Sequence, residues 1–429
     1  MVSRRTVDYV DLSGKFRLNS FDYHKQYSHF YAHRLREMTT LLLSCAEDHW
    51  GKNYSIKKLC DLREEQTDTC IIIGTIYKHQ AHKPSILREI SEENQLAPQP
   101  PREHYADLED KLILEDELQR VRLYGKVDGR YMASGIVCAV LGSIEEDGRF
   151  DVEEMLYYES GPQKPLPTYG YSRKLVLISG INYGQSVDNI DALNLFQHWL
   201  CGNIFGKPSS DIVRVIIAGN SVRASAEECE STSLQSRSIG NNEAVEAIQS
   251  LDSWFCSWSK SITVDIMPGE HDPANFMLPQ QPFHQFMFPK AAKNVSFRGV
   301  PNPYACSIDN TQIVGCSGQN VHDLIRCTMI ENPLEALRST LVWGHIAPTA
   351  PDTLACYPYV DCDPLILHEC PHIYFTGNCD TFETGIHNGS KTQRTRLICV
   401  PNFSKTQSIA VVEMETLDCK EIKFTADTD

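Results

Sequence analysis

The chain has 429 residues, too many for one small core, and ordinary domain sizes point to two domains. Its 40 Lys and Arg against 56 Asp and Glu give a net charge of −16, which opposes non-specific binding to phosphate backbones, since that binding is mostly counterion release by cationic side chains. No apolar stretch approaches the ~18 residues of a membrane span, and no secretory h-region follows "MVSRRTVDYV", so a soluble, intracellular protein without membrane contact is expected.

In chain order, Tyr23, Tyr27, Phe30, Tyr31, Leu35, Met38, Leu42 and Cys45 recur at three- and four-residue steps, which predicts one amphipathic helix ending near Trp50. Its apolar face either packs on its own domain or docks a partner. The β-branched and aromatic runs "CIIIGTIY", "QRVRLYGKV", "GIVCAVLGSI" and "RFDVEEMLYY", separated by polar turns, predict a small antiparallel barrel. The segment has room for five strands and one long loop, "HQAHKPSILREISEENQLAPQPPRE", so a five-stranded OB barrel is the expected form. Within it "RVRLYGKVDGRY" offers Arg120, Arg122, Tyr124, Lys126, Arg130 and Tyr131 to a nucleic-acid single strand. Residues 71–160 nevertheless carry 18 acidic against 10 basic side chains, which favours a solvated or protein-binding face.

The Pro- and Gly-rich "ESGPQKPLPTYGYS" reads as a boundary, giving a helical arm at 1–50, a barrel domain at 51–165 and a second domain at 170–429. In that second domain "KLVLISGI", "IVRVIIAGN" and "ITVDIMPG" alternate with helical patterns through "NIDALNLFQHWL" and "EAVEAIQSLDSWFCSW", the order of an α/β sheet layered with helices. The later runs "YACSIDNTQIVGCSG", "PHIYFTGN", "RLICVPNF" and "SIAVVEMET" predict a second sheet completing a sandwich. The polar, Ser-rich "SVRASAEECESTSLQSRSIGNN" is expected to be a mobile connection.

The turn "MPGEHDP" after a strand is a plausible way to present metal ligands at a sheet edge, which raises the needs of a two-metal phosphoesterase at each strand end. Two cations about 3.5 to 4 Å apart require several Asp, His and Asn ligands just past the strand ends. "LISGI" instead presents Ser179 and Ile181, and "IIAGNSVR" puts Asn220 and Arg223 where carboxylates are needed. "MPGEHDP" supplies Glu270 and His271 in place of Asn-His, "VGCSGQN" has Ser317, and "FTGNCD" has Asn378 and Asp380. These nine positions read as a former metal site that has lost nearly every ligand, leaving no catalytic, metal or cofactor-binding residue. No Gly-x-Ser-x-Gly elbow or phosphate-binding loop offers other chemistry. His345, soon after a helix begun by Asn332-Pro333, reads as a packing or capping residue. The sixteen cysteines include no C-x-x-C pair, and Cys356, Cys362, Cys370 and Cys379 are spaced too widely for a zinc site, which predicts reduced and mostly buried thiols.

"MPGEHDPANFMLPQQPFH", "GCSGQNVHDLI", "HIAPTAPDTLACYP", "DPLILHECPHIYFTGN", "RVIIAGN" and "DGRYMASGIVCAVLG" together resemble the B-subunit family of the eukaryotic DNA polymerases alpha, delta and epsilon, in its delta branch. The resemblance runs from about residue 20 to the last residues. It implies an α/β plus β fold in which an OB-fold barrel joins a calcineurin-like metallophosphoesterase β-sandwich with flanking helices, inactive in eukaryotic members and a nuclease in archaeal ones. It also implies a non-catalytic accessory and scaffold role in DNA replication and repair synthesis, in the nucleus. The implied partners are the C-terminal cysteine-rich module of the DNA polymerase delta catalytic subunit, which carries an iron–sulfur cluster, and a third, clamp-binding subunit. The catalytic subunit of the translesion polymerase zeta is a further implied partner, with DNA contacted indirectly or weakly. An active metallophosphoesterase or exonuclease and a single-strand-binding OB protein are the alternatives.

Overall fold

The computed structural model describes residues 4–18, 20, 22–62, 68–83, 104–184, 189–204, 209–223, 234–389 and 392–425. The chain forms two compact units, one of Asp22–Gly161 with Asn320–His368, the other of Met1–Phe21, Pro162–Gln319 and Glu369–Asp429. The first strand, Tyr9–Asp11 (β1), belongs to the latter, and the first helix, Tyr27–Trp50 (α1), to the former.

The unit containing α1 is built on Ser55–Lys57 (β2), Cys70–His79 (β3), Lys111–Glu115 (β4), Arg120–Gly125 (β5), Val137–Ile144 (β6) and Arg149–Leu156 (β7). Antiparallel β3–β4, β4–β5, β6–β7 and β3–β6 pairs and a parallel β5–β7 pair close five of these into a barrel of OB topology, with β2 added beside β3. Alternation drives it: on β5, Val121 and Leu123 are buried while Arg120 and Arg122 face water. The β4 strand, "KLILE", is faint in the sequence because its five residues sit among acidic neighbours. Most of the long loop read at 79–103 lies outside the described residues.

Helix α1 lays Met38 and Leu42 on Ile71, Val137, Ala139, Leu141 and Ile366, each buried aliphatic side chain contributing about 1.5–3 kcal/mol. Gly51, at φ 72°, ends the helix by donating its N–H to Glu47 O. The periodic positions do not all go inside: Phe30, Met38 and Leu42 are buried, Tyr31 and Leu35 are half-buried, and Tyr23 is 58% exposed.

Residues 320–368, read in the sequence as part of the second domain, belong to this barrel unit. A buried polar cluster explains the difference. Arg34 of α1 donates through Nε to Asp363 Oδ2 at 2.6 Å, through Nη1 to Pro348 O at 2.9 Å and through Nη2 to Ala350 O at 2.7 Å. His345 Nε2 donates to the same Asp363 oxygen at 2.9 Å, and its Nδ1 accepts from the Ala347 N–H. His345 is thus a buried packing residue, past a helix (Pro333–Val342) whose Asn332 side chain caps Leu334 and Glu335.

The other unit carries two six-stranded sheets. One runs β1, Tyr304–Ile308 (β12), Thr311–Cys316 (β13), Ile373–Cys379 (β14), Arg394–Pro401 (β16) and Glu383–Asn388 (β15). The other runs Phe297–Gly299 (β11), Thr263–Met267 (β10), Ile212–Ala218 (β9), Lys174–Ile178 (β8), Ser408–Glu413 (β17) and Cys419–Lys423 (β18). Leu175, Leu177, Ile216 and Met267 of the second sheet meet Tyr304, Ile313, Phe375 and Ile398 of the first in a shared core. On the far side of the second sheet, Val176, Ile178, Val215 and Ile266 pack with Leu193, Phe196, Phe255 and Trp258 from helices Asn189–Leu200 (α2) and Leu234–Ser259 (α3). The central strands β8, β9 and β10 are buried on both faces and parallel, which is why they read as continuous apolar runs. Of the Ser-rich connection, residues 224–233 lie outside the described residues and 234 onward is helical.

The fifteen described cysteines are all free thiols, nine of them buried, so no disulfide framework shapes these sheets. No helix among the described residues is long and apolar enough to cross a membrane.

Candidate functional site

The strand ends of the sandwich converge through residues without room for side chains. A Cβ on Gly219, after β9, would lie 2.5 Å from Ser317 Cβ and 2.8 Å from Gly269 Cα, and one on Gly377 in β14 would lie 2.5 Å from Ala218 O. Asparagine supplies the left-handed turns beside these glycines, at Asn182 (φ 45°), Asn220 (φ 52°) and Asn378 (φ 58°).

Each sequence-derived position has a definite place. Ser179 is fully buried, and its Oγ donates toward Val400 O at 3.1 Å and Pro401 O at 3.0 Å while accepting the Asn378 N–H at 2.9 Å. Ile181 packs in the apolar core with α2 and α3. Asn220 accepts the His271 N–H at 3.0 Å through Oδ1. Asn378 Nδ2 donates to Ala218 O at 3.2 Å and Ser317 O at 2.6 Å. Ser317 donates to Gln319 Oε1 at 2.7 Å and accepts from Asn302 Nδ2 at 3.0 Å. The side chains of Glu270 and His271 are exposed, Arg223 is half-buried, and exposed Asp380 pairs with Lys405 at 2.8 Å.

Ser179, Ser317 and Asn378 are therefore linked by hydrogen bonds and Asn220 separately holds the His271 N–H, whereas Ile181 turns into the core and Asp380 into solvent. Among the described residues no group of three or more His, Cys, Asp or Glu side chains is placed to hold a metal ion. The Ser179 and Ser317 hydroxyls and Asn220 Oδ1 are already committed to backbone and side-chain partners, and Asn378 Oδ1, buried without a hydrogen-bond partner, is a single neutral oxygen where a hard divalent cation needs several ligands.

The buried carboxylate of this region is Asp272, which the sequence reading passed over in favour of its neighbours. It accepts the Val222 N–H at 2.9 Å and the Gly269 N–H at 2.8 Å, fastening the turn after β10 to the end of β9. Burial raises it to about 6 against the opposing pull of those backbone donors. Gln280 and Asn302 were also missed: Asn302 Nδ2 donates to Gln280 Oε1 at 2.8 Å, and Gln280 Nε2 donates to Gly269 O at 3.0 Å. Asn and Gln beside Gly in "AGN", "TGN" and "GCSGQN" are the signal that was available.

On the barrel, Arg120, Arg122 and Lys126 lie on exposed positions along and just after β5, with Tyr124 half-buried. Arg130 is paired to Asp128 at 2.7 Å and lies over the Tyr131 ring, while Arg149, paired to Asp147, covers Tyr124. The aromatic faces are thus largely occupied by arginines that are themselves neutralised.

Comparison with known proteins covers both units. Residues 26–155 match the family model described as the OB-fold domain of the DNA polymerase delta subunit, and residues 175–384 match the model for the B-subunit of DNA polymerases alpha and epsilon. The chain is 58% identical over 431 residues to DNA polymerase delta subunit 2 of Drosophila melanogaster, covering 100% of both chains. It is 35% identical over 433 residues to the DNA polymerase delta small subunit of Oryza sativa subsp. japonica, again covering 100% of both. With the DNA polymerase II small subunit of Archaeoglobus fulgidus it shares 22% identity over 241 residues, 53% of this chain and 47% of that one.

Proposed function

Since the chain belongs to the family of DNA polymerase delta small subunits, and is thereby an accessory subunit of that polymerase complex, we propose that its own role is structural and non-catalytic. It holds the C-terminal cysteine-rich module of the catalytic subunit, which bears an iron–sulfur cluster, and bridges it to the third, clamp-binding subunit for replication and repair synthesis in the nucleus. The sandwich is a calcineurin-like phosphoesterase frame whose metal chemistry is gone, and the same surface serves the catalytic subunit of polymerase zeta in translesion synthesis.

The observation that supports this most is the state of the strand ends. Ser179, Ser317 and Asn378 are joined by hydrogen bonds across the strand ends and Asn220 holds the His271 N–H, so the positions that would carry a bimetal site hold the strand ends together instead. Co-expression with the catalytic subunit's cysteine-rich module, followed by size exclusion, is expected to give a stoichiometric complex. A nuclease assay of the purified chain in manganese is expected to show no cleavage. Failure to co-elute, or cleavage abolished by a chelator, would overturn the reading.

A further inference from the structure

The string "PFHQFMFPK", residues 282–290, divides its aromatic side chains between core and surface. Phe288 is buried in the core that α3 shares with the sandwich and Phe283 packs against it, while Phe286 stands 78% exposed. Helix α3 is divided in the same way. Ala247, Leu251, Phe255 and Trp258 take its inner face, and Val245, Ile248, Gln249 and Asp252 follow one another at three- and four-residue steps as a second stripe, with Val245 51% exposed. This stripe lines a groove of about 500 Å³ together with Phe286, Met287 and Pro289.

One border of the groove is cationic, on a chain of net charge −16. Lys290 lines it, and the residues that follow run along the last two turns of α3: Lys290 Nζ donates to Ser253 Oγ at 2.9 Å, and Asn294 Nδ2 donates to Cys256 O at 3.2 Å and Ser259 Oγ at 2.8 Å. That course lays Lys290 and Lys293 beside the end of the helix, where Lys260 follows it. All three lysines are exposed, and among the described residues none of them forms a salt bridge. The buried carboxylate of Asp252 accepts the N–H groups of Lys290 at 2.9 Å and Ala291 at 2.8 Å, so it is taken up by the turn. Glu246, two turns before Ser253, is the exposed carboxylate among the described side chains of α3.

We propose that this surface seats a short amphipathic segment of a partner protein, apolar on one side and carrying Asp or Glu on the other. Its apolar side chains enter the groove between Val245, Ile248 and Phe286, and its carboxylates meet Lys290 and Lys293, with Lys260 beyond. The sign of the partner follows from the lysines, which have no carboxylate of their own to release when an anionic group arrives. A nucleic-acid backbone would engage the lysines but leave Phe286 and the apolar stripe unused, and the acidity of the chain as a whole repels it. Charges at such a site set the choice of partner and the speed of encounter, while the apolar contact holds it. The volume falls within the range of about 300–1,000 Å³ typical of ligand pockets, enough for a few side chains and too small for a folded domain. The inference goes beyond the scaffold role and is tested without the other polymerase subunits, so its failure leaves that reading standing.

The test is fluorescence anisotropy of the full chain with a short labelled peptide of glutamate and leucine, its leucines three and four residues apart, compared with glutamate–serine and glutamine–leucine peptides of the same pattern. Saturable binding of the glutamate–leucine peptide is expected, with both comparison peptides weaker. Lys290→Gln with Lys293→Gln is expected to weaken it roughly fivefold, the scale of two exposed ion pairs. Neutralising Lys111 and Lys126, exposed on the barrel, makes the same charge change elsewhere and is expected to leave binding intact. Phe286→Ala, at an exposed position, is expected to weaken binding roughly tenfold in a protein whose melting temperature is kept. Equal weakening by both lysine pairs, equal affinity for either comparison peptide, or binding insensitive to Phe286→Ala overturns the proposal. So does a single-stranded oligonucleotide that displaces the peptide and is itself lost on the Lys290 and Lys293 change, which assigns the lysines to phosphate. A concentration-dependent dimer that Phe286→Ala dissolves overturns it as well, assigning the groove to a second copy.

Discussion

Asp363 and Asp272 are both buried carboxylates, and their neighbours drive them in opposite directions. Burial by itself would raise Asp363, but Arg34 and His345 against it hold it well below the ordinary range. Its folded value lies below its unfolded one, so its contribution is complete above about pH 4 and drains away as the pH falls further. Asp272 has backbone N–H partners and no cation, and burial lifts it to about 6. The folded state then holds the extra proton between about pH 4 and about pH 6, and stability declines as the pH rises through that window. In chemical denaturation followed against pH, Asp272→Asn is expected to remove this decline and to keep the acid limb that Asp363 governs. Replacing Arg34 by Met leaves Asp363 buried without its main partner, and a loss of roughly 3–5 kcal/mol in the unfolding of the barrel unit is expected. A loss below about 1 kcal/mol would show that the cluster contributes little to this unit.

At the scale of elements, the strand ends of the sandwich are held by glycines chosen for contact. Gly219 sits at φ 80°, and any Cβ there would strike Ser317 and Gly269 at once. Gly170 has a similar φ of 68° but open space around it. Gly219→Ala should therefore cost roughly 2–4 kcal/mol and Gly170→Ala about 1 kcal/mol or less, compared by urea midpoints. Similar costs at the two sites would mean that backbone conformation, and not the convergence of strands, fixes Gly219. The apolar runs of β8, β9 and β10 and the period of α1 announced these elements in the sequence, because burial on two faces or one leaves a pattern in neighbouring residues. The short edge strands β1 and β18, and the short barrel strand β4, left weaker marks, since each is defined by the partners it pairs with. The same holds within α1: its period gave the helix, but Leu35 and Leu42 look alike in sequence, and only the barrel surface separates the one beside a groove from the one beneath it.

For the whole molecule, the path of the chain matters more than the count of domains. It passes between the units after Phe21, Gly161, Gln319 and His368, so the barrel unit is completed by residues far along the sequence. A fragment of residues 51–165, the domain as read from sequence, lacks α1 and the 320–368 segment. It leaves Lys78 without the Cys327 carbonyl it bonds at 3.1 Å, and Ile71 and Val137 without their cover. Such a fragment is expected to show a broad, low-cooperativity thermal transition and binding of a hydrophobic dye, whereas residues 22–161 co-expressed with 320–368 should melt sharply. A sharp transition in the short fragment would show that the barrel is self-sufficient. Manganese added to the full chain should leave its melting temperature unchanged within error, because a ligand that does not bind the folded state cannot stabilise it.

The sequence by itself determined the acidity, the helix and strand types, the OB barrel and the family, because these reside in composition, local period and long particular strings. It also showed which residue types stand at the strand ends, where Ser179, Asn220 and Asn378 are neutral side chains. Tertiary structure alone decided that Asp272 is the buried carboxylate there, that residues 320–368 complete the barrel unit through Arg34 and Asp363, and that Tyr31 and Leu35 border a groove. Those facts depend on which distant segments meet, and a side chain's partners across two or three hundred residues leave no trace in its immediate neighbours.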